Sequence, residues 1–219
     1  MTLAGFARAM PAGQPVFALQ PPPADASAPR ATLEELVAEY SQAVRSVQPR
    51  GPYVLGGYST AGLLAIEVAR TLRAQGESIA LVILLDSTHT SGPLFWFFYR
   101  LLRGPCGALL TLLPRTRWVR LHLARSFFRD EGFYTIVSAL QGYQPKPFDA
   151  PVLLCLSRRG RVFNFEGSEQ HWRALAQGGF DVHDMPVDHS HFLRPPYAGV
   201  LAATLQERID EAIARECAS

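Results

Sequence analysis

Residues 79–86 read Ile-Ala-Leu-Val-Ile-Leu-Leu-Asp, seven apolar residues closed by a carboxylate. A strand that is apolar on both faces is satisfied only where other layers cover both, which is the setting of a central strand in a parallel sheet. Upstream, PYVLGGYS (52–59) has the pattern of a second strand. Between them, TAGLLAIEVARTLRAQG (60–76) predicts a helix that stops on Gly76. Strand, helix and strand joined by short links form a βαβ unit, so the sheet is expected to be parallel and the fold class α/β.

The remaining segments extend this pattern. Met1 to Met10 reads as the end of a helix, and QPVFALQ (14–20) as a short strand between prolines. PPPADASAP (21–29) is a loop, because consecutive prolines continue neither helix nor strand. Thr32 and Glu35 have the spacing of a capping box, followed by a helix with Leu33, Leu36, Val37, Tyr40, Val44 and Val47 on one stripe. From Thr88 to about Gln144 there are aromatic-rich helical segments without a strand signal. PVLLCLS then resumes the strands, Trp172 to Ala176 reads as helix, FDVHDMPV as strand and Tyr197 to Glu216 as a closing amphipathic helix. We therefore expect one domain over residues 1–219, with a core of 1–86 and 150–219 and a helical insertion at 87–149.

Composition narrows the function. With 48% apolar and only 18% charged residues, the chain can bury a sizeable core and does not resemble a disordered one. A net charge of +2 and the lack of basic blocks interleaved with aromatics argue against a nucleic-acid partner. Cys106, Cys155 and Cys217 are odd in number and widely spaced, so neither a metal site nor a disulfide framework is expected. Free thiols and an N-terminus without a signal-peptide apolar core point to a cytoplasmic location. LFWFFYRLLRGPCGALLTLL (94–113) is long enough to cross a bilayer, but Arg100, Arg103 and a Gly-Pro break favour two short amphipathic helices.

The chemistry concentrates at Gly57-Tyr58-Ser59-Thr60-Ala61-Gly62, between predicted strand and predicted helix. A serine on such a turn holds its hydroxyl clear of both elements, and small neighbours are needed where strand and helix nearly touch. The pattern departs from G-x-S-x-G in having Ala61 followed by Gly62. The plainer reading is a glycine-rich turn whose serine caps the helix. A nucleophilic serine needs a base. Of six histidines, His189 and His191 lie in VDHSHFLRPP, after the last strand, where parallel α/β folds place their sites. His189 is the preferred base. Asp86 ends a central strand and is the candidate acid that would orient the imidazole. Many enzymes of this kind carry the acid one strand later, but PVLLCLSRRGR is followed by arginines, and Glu166 and Glu169 are the nearest carboxylates.

Residues 14–22, 32–77 and 79–87 (QPVFALQPP, TLEELVAEYSQ to AQGE, IALVILLDS) and VDHSHFL resemble the thioesterase domains of polyketide synthases and nonribosomal peptide synthetases, and related fatty-acid-synthase thioesterases. The resemblance implies an α/β-hydrolase fold, mostly parallel, with residues 87–149 as a helical lid. It implies Ser59 as nucleophile, His189 as base, Asp86 as acid and the backbone N–H of Thr60 as an oxyanion donor. Val187 stands where the family's histidine loop has glycine. The family's first strand and its oxyanion loop precede the point where this chain starts, so a shortened domain with impaired turnover is one expectation. The implied activity is release of an acyl, polyketide or peptidyl chain from a carrier protein, by hydrolysis or cyclisation. The implied partner is an acyl or peptidyl carrier protein whose phosphopantetheine brings the substrate, with no cofactor or metal of the domain's own. Two alternatives remain open at this point. One is a general serine esterase or lipase; the other is a non-catalytic module that binds an acyl chain or a partner.

Overall fold

The computed structural model describes residues 3–20, 31–87, 131–158 and 168–218. Its elements run α1 (Leu3–Ala7), α2 (Leu33–Val47), β1 (Tyr53–Tyr58), α3 (Ala61–Ala74), β2 (Ile79–Leu85), α4 (Glu131–Ala139), β3 (Val152–Ser157), α5 (Ser168–Leu175), β4 (Phe180–Met185) and α6 (Tyr197–Ala218). The chain divides into two compact units. One holds the described residues of 1–19, 37–88 and 146–219, the other those of 20–36 and 89–145.

The first unit contains the sheet, four parallel strands in the order β1-β2-β3-β4. Every residue of β2 and β3 is buried, as the apolar run of β2 and the apolar residues 152–156 of β3 require of the two inner strands. Side-chain alternation divides β2 between two layers. Leu81, Ile83 and Leu85 pack with Phe6 and Met10 near α1 and with Leu201, Leu205 and Ile209 of α6. Leu84 points the other way, toward Gly62 of α3. Helices thus cover both faces of the sheet.

Helix ends follow local chemistry. Glu35 N–H donates to Thr32 Oγ1 at 3.2 Å and Thr32 N–H to Glu35 Oε2 at 2.8 Å, the reciprocal capping box expected there. α3 stops where Gly76 turns left-handed at φ 86°, with its N–H on Arg73 O and that of Glu77 on Leu72 O.

One expectation fails. QPVFALQ is not a strand: residues 15–20 have no regular structure, and Phe17 is 67% exposed. Apolar alternation makes a strand only where a ladder partner accepts it, and no described strand pairs with this segment. The apolar stretch 94–113 and most of the predicted insertion lie outside the described residues. Among the described residues no helix is long and apolar enough to cross a membrane.

Candidate active site

Ser59 and Asp86 occupy equivalent places, one residue beyond the C-terminal ends of the neighbouring strands β1 and β2. They are the two non-glycine residues with positive φ among the described residues, at 57° and 48°. Left-handed backbone at such residues costs on the order of 1–3 kcal/mol and persists only where surroundings enforce it. The ladder does so here. Ser59 N–H donates to Leu85 O at 2.9 Å, and Asp86 N–H to Cys155 O at 2.8 Å. Each side chain is thereby turned off the end of its strand.

The turn at Ser59 works because its neighbours are small. A Cβ on Gly57 would lie 2.3 Å from Ala61 O, and one on Gly62 2.1 Å from Ser87 Oγ. This accounts for the departure from G-x-S-x-G: the close approach falls on Gly62, whereas Ala61 is half-buried and carries its methyl. Thr60 is buried at the start of α3, and its side chain makes no capping hydrogen bond. Its N–H is one of the first-turn amides that a helix leaves without an internal acceptor.

Asp86 is 4% exposed, yet both carboxylate oxygens are engaged. Oδ2 accepts from His189 Nδ1 at 2.6 Å and from Ser157 Oγ at 2.7 Å, and Oδ1 accepts from Ser157 N–H at 2.9 Å. Burial alone would raise the carboxyl's pKa. The hydrogen bonds from His189 and Ser157 outweigh it and hold the group below the usual aspartate range. An ionised carboxylate only accepts, so Nδ1 of His189 is the donor in this contact.

His189 opens a short 3-10 turn, His189–His191. The two histidines of this turn face different carboxylates. His191 is half exposed and pairs through Nδ1 with Asp188 Oδ1 at 2.7 Å. Asp188 also accepts from Ser190 Oγ and from the N–H of His191, so it caps the turn. His183 lies on β4, and His171 on α5 packs edge-on against Trp172. His89 and His122 lie outside the described residues. Among the described histidines, His189 is the one hydrogen-bonded to Asp86.

Three further residues build the site without having been singled out in the sequence. Ser157 sits at the tip of β3, one strand beyond Asp86, where the sequence lacks a carboxylate, and supports Asp86 instead. Trp172, fully buried, donates from Nε1 to Ser87 O at 2.9 Å, while Ser87 Oγ donates to Gly57 O at 3.2 Å. The residue after Asp86 is thereby tied to the serine turn. Tyr58, just before Ser59, stacks on the His189 ring at 4.7 Å between centroids. Tyr58 lies inside the serine-turn motif and Ser157 at a strand end, and those positions are their only signals; Trp172, in the middle of α5, has none.

Residues 4–203 match the family model described as the thioesterase domain. The chain belongs to the thioesterase-domain family. It is 36% identical over 195 residues to a non-reducing polyketide synthase of Pseudevernia furfuracea, covering 81% of this chain and 8% of that protein. It is 49% identical over 57 residues to the thioesterase pytI of Aspergillus terreus, covering 26% of this chain and 18% of that protein. This thioesterase domain thus spans only a small part of the curated relatives it matches. The fold is that of solved α/β-hydrolase thioesterases. The NocB thioesterase domain, in covalent complex with a fluorophosphonate nocardicin G analogue, superposes with a TM-score of 0.59 at 22% identity, over 84% of this chain and 78% of that one. The RedJ thioesterase of Streptomyces coelicolor has the same TM-score and identity, over 81% and 70%.

Proposed function

We propose that this thioesterase domain releases an acyl, polyketide or peptidyl chain from the phosphopantetheine thioester of a carrier protein, through an acyl-serine intermediate. The observation that carries the reading is the pair formed by buried Asp86 and half-buried His189 at 2.6 Å, beside a left-handed serine on a strand-to-helix turn. In this mechanism Ser59 Oγ attacks the thioester carbonyl while His189 Nε2 takes its proton. Asp86 keeps the proton on Nδ1 and stabilises the imidazolium. The N–H of Thr60 donates to the developing oxyanion. Collapse breaks the C–S bond, and the thiol leaves with the proton from His189. Water, or a hydroxyl or amine of the bound chain, then attacks the acyl-serine with His189 again as base, which restores Ser59. These steps draw on protein groups alone, because the phosphopantetheine arm comes with the carrier.

The test is labelling with a fluorophosphonate probe and mapping of the adduct by peptide mass spectrometry. The expected adduct lies on Ser59 and disappears in Ser59→Ala, together with a loss of thioester turnover of several orders of magnitude. A folded wild type that takes no label, or a Ser59→Ala variant with unchanged turnover, refutes the assignment.

A further inference from the structure

Two separate contacts join Tyr58 to His189. The rings stack, with centroids 4.7 Å apart and planes inclined by 20°. The Tyr58 hydroxyl also donates to the carbonyl oxygen of His189. Phe192, fully buried, also lies near the tyrosine ring, with centroids 6.4 Å apart. Tyr58 is itself anchored at the end of β1, next to Ser59. Burial raises the pKa of its hydroxyl, and the charges of Asp86 and Asp188 raise it further, so the group remains a donor.

We infer that Tyr58 is a positioning residue for His189: the residue preceding the serine holds the imidazole by its ring face and the histidine backbone by its hydroxyl. This rests on the reading of His189 as the base. Asp86 holds the imidazole at Nδ1, and the tyrosine lies against the ring face, so the two contacts constrain it in different directions. A π face is also favourable beside the imidazolium that forms as Ser59 loses its proton. Because Tyr58 and Ser59 are adjacent in the chain, base and nucleophile share one anchor. A small shift of β1 carries both together.

The experiment compares wild type, Tyr58→Phe and Tyr58→Leu in the full chain, with an acyl N-acetylcysteamine thioester as substrate. Tyr58→Leu should lower kcat about 100-fold with KM within about twofold, as expected for a misplaced catalytic group. Tyr58→Phe keeps the ring and should lose roughly tenfold or less. The independent readout is the downfield proton of His189 Nδ1 in NMR, recorded in a Ser59→Ala background. It should remain in Tyr58→Phe, with faster solvent exchange, and broaden away in Tyr58→Leu. A folded Tyr58→Leu variant that keeps wild-type kcat, or loses kcat with the proton signal unchanged, overturns the inference. Should Tyr58→Leu fail to fold, a Tyr58→Phe variant with unchanged kcat and unchanged exchange overturns the role of the hydroxyl. Failure of Ser59 to take the fluorophosphonate label in wild type would instead defeat the triad reading, because the proton signal reports on His189 without turnover.

Discussion

Ser59 and Asp86 hang from the ends of adjacent parallel strands, and the backbone places them: their own N–H groups are ladder donors to Leu85 and Cys155. His189 lies in a short turn outside the sheet, and side chains place it, Asp86 at Nδ1 and Tyr58 on the ring and carbonyl. The contrast shows two ways of aiming a side chain. The sheet spends backbone strain, with two left-handed residues held by register. The loop spends side-chain contacts, which are more easily removed one at a time. Substitutions at the strand tips should therefore act on folding or abolish chemistry, whereas those around the loop should grade activity.

The largest expected effect that sharpens this comparison is Asp86→Asn. The carboxamide cannot stabilise the imidazolium and can turn its NH2 toward Nδ1, so kcat should fall about 10³–10⁴-fold while the thermal melt stays cooperative. Steady-state kinetics on a thioester substrate decide this.

Gly57→Ala attacks the backbone side. Its methyl would sit 2.3 Å from Ala61 O, against backbone that cannot yield without moving the turn. A loss of about 1–3 kcal/mol is expected, read as a drop in Tm of several degrees by calorimetry. A variant with wild-type Tm would show that the turn is less constrained than the contact implies.

Ser157→Ala removes one donor from Asp86 Oδ2 and leaves the Ser157 N–H on Oδ1. We expect a roughly tenfold loss in kcat and a loss of about 1–2 kcal/mol at neutral pH. The sign with pH follows from the depressed Asp86 carboxyl. Its stabilising share is complete above the ordinary aspartate pKa and is lost as pH falls through the lower folded value. The Tm gap between wild type and variant should therefore narrow below the ordinary aspartate range, and melts at pH 7 and pH 3 would measure it.

The smallest effect is expected at His191→Ala. Its pair with Asp188 is exposed on both sides, and such pairs contribute at most about 1 kcal/mol. Activity should stay within about threefold. A loss approaching that of Asp86→Asn would reverse the distinction between the two histidines.

Much of this was legible from residue order. The run IALVILLD could only be an inner parallel strand, and it became β2 with every residue buried. The capping box at Thr32 formed as its spacing required. QPVFALQ misled because alternation records what a strand would bury and says nothing of whether a neighbour exists to pair with it. Ser157 and Trp172 were not legible, since a serine ending a strand and a tryptophan in a helix have no signature until the partner they reach is known.

The sequence by itself determined the parallel α/β order, the strand-to-helix turn at Ser59 and the carboxylate at the tip of β2, because each follows from local periodicity and from which residues a tight turn can hold. It also narrowed the candidate base to two histidines in one loop and preferred His189. The tertiary structure shows how their surroundings differ. His189 and His191 are two residues apart with nearly the same local sequence, and what distinguishes them is direction, toward Asp86 in one case and Asp188 in the other. That direction depends on contacts from residues more than a hundred positions away in the chain, Tyr58 and Asp86. Spacing along the chain carries no information about such contacts until the sheet has brought its strand tips together.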